Sequence, residues 1–167
     1  MFINNPISVF PDITEILFNS IHKNYLKVIL LNVLLIFTAI LIGLITADYF
    51  NLFEEIKSYV YLFYIVFTLV FSLVNLFMYI GFKKRKYAVR EKDISYKSGV
   101  FIRKLTTVPF SRIQHIEVDE GLFSRFFKLA SLSVFTAGDS SDDLVIKGIA
   151  KETALEIKEF ISSKINE

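Results

Sequence analysis

The chain has 167 residues, 53% of them hydrophobic and 16% aromatic, with a formal net charge of +2 and a mean hydropathy of +0.50. That is too apolar for an ordinary soluble protein, and the length leaves room for a membrane hairpin plus one small folded domain. The lack of cysteine excludes disulfides, thiolate metal sites and thiol nucleophiles.

Residues 1–27 form an N-terminal segment. Ile13, Ile16, Leu17, Ile21 and Leu26 fall near helical spacing, with Asp12 placed to cap and Glu15 three residues on. The pattern predicts an interfacial amphipathic helix over 11–26, or a plain extension of the helix that follows. Residues 28–82 then hold two apolar stretches, 28–47 and 59–82. Each is free of charge and meets the roughly 20 helical residues that cross a hydrocarbon core. The first is too long for a signal-peptide core and has no cleavage pattern behind it, so both are read as uncleaved spans.

Ala39, Gly43 and Ala47 recur every fourth residue and predict a close-packing face, with Thr68, Ser72 and Asn75 opposite. Asn32 and Asn75 lie at similar depth, so a hydrogen bond between them, or to a partner's helix, would relieve two amides in hydrocarbon. Neither span carries an ionisable side chain, which favours an anchor over a transport pathway.

His22, Lys23 and Lys27 flank the first span, and the linker Lys83, Lys84, Arg85 and Lys86 flanks the second. The connecting loop is acidic, with Asp48, Glu54 and Glu55 against Lys57. Positive flanks stay inside, which predicts a multi-pass protein with both termini cytoplasmic.

Residues 87–167 read as a small cytoplasmic α+β domain. Apolar residues two apart at Ile94/Tyr96, Val100/Ile102, Ile116/Val118, Leu132/Val134 and Leu144/Ile146 predict short half-buried strands. Ser98-Gly99 signals a hairpin turn between the first two, and Pro109 should end a strand or lie on an edge. Residues 139–143 form a turn-rich loop. Ala150, Ala154, Ile157, Ile161 and Ile165 then follow a helical stripe to the C-terminus. Six or seven strands and a covering helix make a small open barrel.

The stretches Gly99-Val100-Phe101, Val108-Pro109-Phe110-Ser111-Arg112-Ile113-Gln114-His115-Ile116, Gly121-Leu122-Phe123-Ser124-Arg125-Phe126-Phe127 and Leu132-Ser133-Val134-Phe135-Thr136-Ala137-Gly138 resemble the bacterial membrane-flanked PH-like family, YdbS-like. The resemblance covers about residues 87–138. It implies two spans followed by a PH-like β-barrel capped by the last helix, in the bacterial cytoplasmic membrane. Gly99, Pro109, Ile113, Gln114, Gly121, Thr136 and Gly138 are its structural positions. Lys128 departs from it, standing where a glycine is common. The resemblance implies no phosphoinositide ligand, and it suggests a larger membrane protein with similar domains as a partner.

Candidate contacts are cationic and aromatic. Lys83 to Lys86, joined by Arg90 and Lys92, would lie at the lipid surface, where each cation contributes about 1 kcal/mol of attraction to anionic lipids. That run also follows from topology alone. Arg103, Lys104, Arg112 and Arg125 form a second basic group, or a solvated face. Phe123 and Phe126, with Leu122, Phe127 and Leu129, either pack across the barrel mouth or meet a bilayer or partner. Gln114 and His115 have no triad partners, and Asp139, Asp142 and Asp143 lack the spacing of a calcium loop. No cofactor, metal or nucleic-acid motif is present, and no enzyme is expected. The sequence reads as a membrane-anchored interaction or assembly module, alone as a homo-oligomer or with a larger protein; the alternative is recognition of anionic headgroups by the linker and first hairpin.

Overall fold

A computed structural model describes residues 16–50, 59–136 and 144–165. The predicted cap at Asp12 and Glu15, most of the loop between the spans, Gly138 and the 139–143 turn lie outside the described residues.

Two helices dominate the first half: α1 (Tyr25–Tyr49) and α2 (Val60–Lys84), each of 25 residues and apolar enough to cross a membrane. By helical rise each is roughly 37 Å long, more than a hydrocarbon core. They meet through aromatics, not through the small-residue face that the spacing predicts. The Phe37 ring lies 5.3 Å from Phe67 and 5.0 Å from Phe71. Ala39 and Gly43 are exposed, and a Cβ on Gly43 would meet nothing within 4 Å. The Asn32–Asn75 bond is also absent. Asn32 Nδ2 donates to the Val28 carbonyl and Asn75 Nδ2 to that of Phe71, each at 2.8 Å. Thr68 and Ser72 likewise donate to carbonyls four residues back. A polar side chain in an apolar helix satisfies itself on its own backbone, with no need of a neighbour.

The remaining chain builds two antiparallel sheets. One has the order β1 (Asn19–Ser20), β2 (Lys86–Val89), β3 (Asp93–Ser98) and β4 (Lys104–Pro109). The other has the order β5 (Ile113–Asp119), β6 (Leu129–Thr136) and β7 (Leu144–Ala150). A 3₁₀ turn, Phe110–Arg112, joins them, and the short helix α3 (Leu122–Phe126) lies between β5 and β6. Helix α4 (Lys151–Ile165) covers the second sheet, burying Ala154, Ile157 and Ile161. Of its predicted stripe, Ala150 instead ends β7 and Ile165 is partly exposed. Ile94, Leu132, Val134 and Ile146 form the centre of the core. Each such side chain contributes roughly 1.5–3 kcal/mol by leaving water. The fully buried hydroxyl of Ser95 is paired with that of Thr107 at 2.8 Å.

Pro109 closes the edge strand β4, where its missing N–H breaks no ladder. Val100 to Ile102 do not form a strand. Gly99, at φ +109°, turns the chain into a loop over residues 99–103, and a Cβ there would overlap the Ile102 carbonyl.

The N-terminal segment differs most from expectation. Residues 16–24 form neither an amphipathic helix nor an extension of α1. Asn19 and Ser20, weak helix formers, pair with Tyr87 and Lys86 at the edge of β2. The next residues cross to the other sheet, where the His22 N–H donates to the Gly148 carbonyl at 3.0 Å. Gly148 is the extra residue of a bulge between the pairs Ala130/Ile149 and Ser131/Lys147, at φ +87°. A Cβ on it would fall 2.2 Å from the Tyr25 ring and 2.7 Å from Ile21. Ile21, Tyr25, Val28, Ile29 and Leu129 thereby form a second buried cluster, backed by Phe82, Phe123 and Phe127. The membrane hairpin is thus an insertion between two hydrogen-bonded neighbours, β1 and β2.

The departure at Lys128 keeps glycine geometry: at φ 54° it is the one non-glycine residue with positive φ among the described residues. Its carbonyl accepts from the Lys151 N–H, tying α3 to the start of α4. A left-handed L-residue costs roughly 1–2 kcal/mol. Lys128→Gly is therefore expected to stabilise the protein by about 1 kcal/mol, after allowance for the freer unfolded chain. Thermal unfolding of the full chain in detergent checks this, with a rise in Tm as the expected result.

Candidate cationic site at the membrane end

The strands alternate in direction, so the chain's turns sort into two ends. β2 leaves α2 at Lys86 and reaches its turn at 90–92; β3 returns to the loop 99–103 beside α2. The end next to the helices therefore holds the 99–103 loop, α3 and the β7–α4 junction. The distal end holds the 90–92 turn, the 3₁₀ turn and the last turn of α4.

Of the basic linker, Lys83 and Lys84 are the last residues of α2, Arg85 caps it and Lys86 opens β2. The helix passes into the sheet without slack. The run is split by this geometry. Lys83, Lys84 and Lys86 line a cleft of about 240 Å³ together with Lys97, Ser98, Gly99 and Arg103. Arg85 turns to a separate cleft shared with Tyr96, Val100 and Lys147, its guanidinium 5.9 Å from the Tyr25 ring centre.

Five cations thus surround one cleft. Lys86 and Lys97 stand directly opposite each other in the β2–β3 ladder, an arrangement of like charges that disfavours the pairing. Arg90–Asp93, His115–Glu117 and Lys151–Glu120 are ion-paired, and none of the five has a carboxylate partner among the described residues. Lys83 Nζ lies 4.5 Å from the Tyr79 ring centre and Lys97 Nζ 6.0 Å from that of Phe18. These π contacts leave the charge uncompensated.

The other candidates are dispersed. Arg90 is at the distal turn, held by two 2.7 Å bonds to Asp93, and Lys92 lines a distal cleft beside Phe110 and Phe160. Arg112 is exposed in the 3₁₀ turn, Lys104 is exposed at the start of β4, and Arg125 sits on α3, which packs against α1. Phe123 packs into the second cluster while Phe126 is 80% exposed. Gln114 is skipped in the β5–β6 register between Ile113 and His115, and His115 stacks on Phe135 at 4.2 Å. Ile113 is buried, Thr136 ends β6, and Gly121 caps α3 with room for a side chain. No cluster of three or more metal-binding side chains occurs among the described residues.

Lys97 is the site residue that sequence reasoning missed. Its one signal is that Lys86 and Lys97 stand five residues to either side of the turn's central residues, Glu91 and Lys92.

With this geometry in hand, comparison places the chain. It belongs to the bacterial PH domain family, which matches residues 25–165 and so takes in both helices. It is similar to two transmembrane proteins of Bacillus subtilis (strain 168). It is 29% identical to YdbT over 86 residues, 51% of this chain and 17% of YdbT. It is 31% identical to YdbS over 68 residues, 40% of this chain and 43% of YdbS. The matched stretches thus span less than half the length of either relative. A crystal structure of a protein with a pleckstrin-homology domain from Shewanella loihica PV-4 aligns with a TM-score of 0.39 and 18% identity, covering 48% of this chain and 70% of that one. The protein is a membrane protein: two transmembrane helices joined to one PH-like domain.

Two tyrosines outside the cleft, on β2 and β3, bear on the alkaline stability of the fold. Burial pushes the Tyr96 phenol above its ordinary value of 10.0, against the opposing pull of Arg85, and burial also raises Tyr87. A raised folded pKa means that the native state holds the proton longer than the unfolded state does. This stabilisation is complete below pH 10 and is lost as pH rises through the folded values. Tyr96→Phe is expected to flatten the fall in Tm above pH 10 relative to the parent chain. An unchanged alkaline slope would contradict the assignment.

Proposed function

We propose that this protein is a membrane-apposed binding module whose cleft takes the phosphate of an anionic phospholipid from the leaflet in which α2 ends. One observation carries the reading: five cations, without a carboxylate partner among the described residues, gathered around one cleft at the exit of a transmembrane helix. Near an anionic surface each contributes about 1 kcal/mol. The Lys86/Lys97 repulsion, unfavourable in the empty fold, is relieved when an anion lies between them.

The basic flanks of both helices support a placement with the domain in the cytoplasm of a bacterial cell, under the inner leaflet. The working unit in this reading is residues 86–165 with the strand and crossover of 16–24. It binds; it does not catalyse.

The test uses the full chain in mild detergent, titrated with a short-chain phosphatidylglycerol, the matching phosphatidylcholine, and inorganic phosphate at 0.15 M salt. Phosphatidylglycerol is expected to raise Tm, and Lys97→Gln and Arg103→Gln are each expected to weaken the apparent affinity about fivefold. Equal responses to the two lipids, or a double variant with undiminished affinity, would remove the headgroup reading. Presentation of the domain to a protein partner, the role that the family resemblance suggests, would then take its place.

A further inference from the structure

The loop between β3 and β4 is exposed in a way that the cationic cleft does not explain. Phe101 is 83% and Ile102 84% exposed, among the most exposed large apolar side chains of the domain. Water is a poor neighbour for both. The loop instead runs back along α2. Val100 Cγ2 would stand 3.2 Å from a Cβ on Gly81, and the Phe101 ring lies 5.6 Å from that of Phe77. Phe77 precedes Lys83 by six residues of continuous helix. That places Phe101 roughly 9 Å along α2 from the first cation of the cleft, toward the centre of the span. Headgroup phosphates lie at the level of the lysines, so a ring at that depth lies among acyl chains.

We infer that residues 100–102 form an apolar foot that enters the bilayer beside α2, with Phe101 and Ile102 in contact with lipid acyl chains. The occupant of this surface is lipid because the surface continues that of a transmembrane helix. Arg103 follows at once and returns the chain to the headgroup level, where it lines the cleft. On the α1 side, the exposed Leu122 and Phe126 of α3 give the domain a second apolar contact at the same end.

The inference rests on the membrane-apposed reading of the domain but not on headgroup binding, and its test separates the two. The chain contains no tryptophan, so Phe101→Trp and, separately, Ile102→Trp each supply a single indole in the full chain reconstituted into vesicles. Phe160→Trp at the distal end is the aqueous control. In purely zwitterionic vesicles, lipids brominated on the acyl chains are expected to quench more than half of the emission from positions 101 and 102, while iodide quenches only position 160. Iodide quenching at 101 and 102 without bromine quenching would overturn the foot. Bromine quenching that appears only with anionic lipid would also overturn it as a property of the loop, and would leave headgroup binding standing.

Discussion

The backbone of Gly148 is the seat on which this molecule is assembled. Tyr25 and Ile21 occupy the space that a side chain at position 148 would fill, and the His22 N–H takes the bulge carbonyl. On its other flank the same short segment adds β1 to the edge of β2. Residues 19–25 therefore tie the free edge of one sheet to the free edge of the other, and they enter α1 without a break. Since α2 runs straight into β2, both transmembrane helices are joined to adjacent strands of one fold. A domain hung on a single flexible linker could swing; one fixed through two neighbouring strands and a buried aromatic cluster cannot do so without losing that cluster.

Rigid seating explains why composition differs so sharply between the ends of the domain. The end facing the helices carries the five cations of the cleft, none with a carboxylate partner among the described residues, and large exposed apolar side chains, beside one closed pair, Lys151–Glu120. Both are unfavourable in bulk water and favourable at a bilayer, the first at the headgroups and the second below them. The distal turn carries a closed ion pair between Arg90 and Asp93, as a water-facing turn should. In the membrane-apposed reading proposed above, the two ends obey the same physical chemistry in different solvents. A rigid joint keeps each end in its own.

Much of this was legible in the amino-acid order, and the failures share a cause. The spans could be read because some twenty uninterrupted apolar residues have few alternatives. The strands at Ile94, Ile116, Leu132 and Leu144 and the buried stripe of α4 followed from periodicity. Val100 and Ile102 carry the same alternation, yet they form a loop, because period-two apolar spacing records an apolar environment and not whether the backbone is paired. Helical spacing and a capping pair at Asp12 and Glu15 predict a helix over 11–26; the signal that residues 16–24 instead fill a barrel seam lies in Gly148, more than a hundred positions away. The small-residue face at Ala39 and Gly43 is present as spaced, but ring packing by Phe37 decides which side of α1 meets α2. The cleft was half visible. Lys83, Lys84, Lys86 and Arg103 stood out as a run and a hairpin cation, whereas Lys97 needed the register of β2 on β3. Lys128 shows the reverse case, a residue type that departs from the family pattern while the backbone keeps it.

Rigid attachment of the domain to the membrane helices is the claim on which the rest depends, and the cysteine-free chain permits a direct test. Spin labels on cysteines introduced at Tyr61, near the far end of α2, and at Leu155, on α4, report the distance across the joint in the full-length protein in lipid. A single narrow distance distribution, unchanged between zwitterionic and anionic bilayers, is the result expected of a domain seated through Tyr25 and Gly148. A broad or multi-peaked distribution would show a swinging domain and contradict the account.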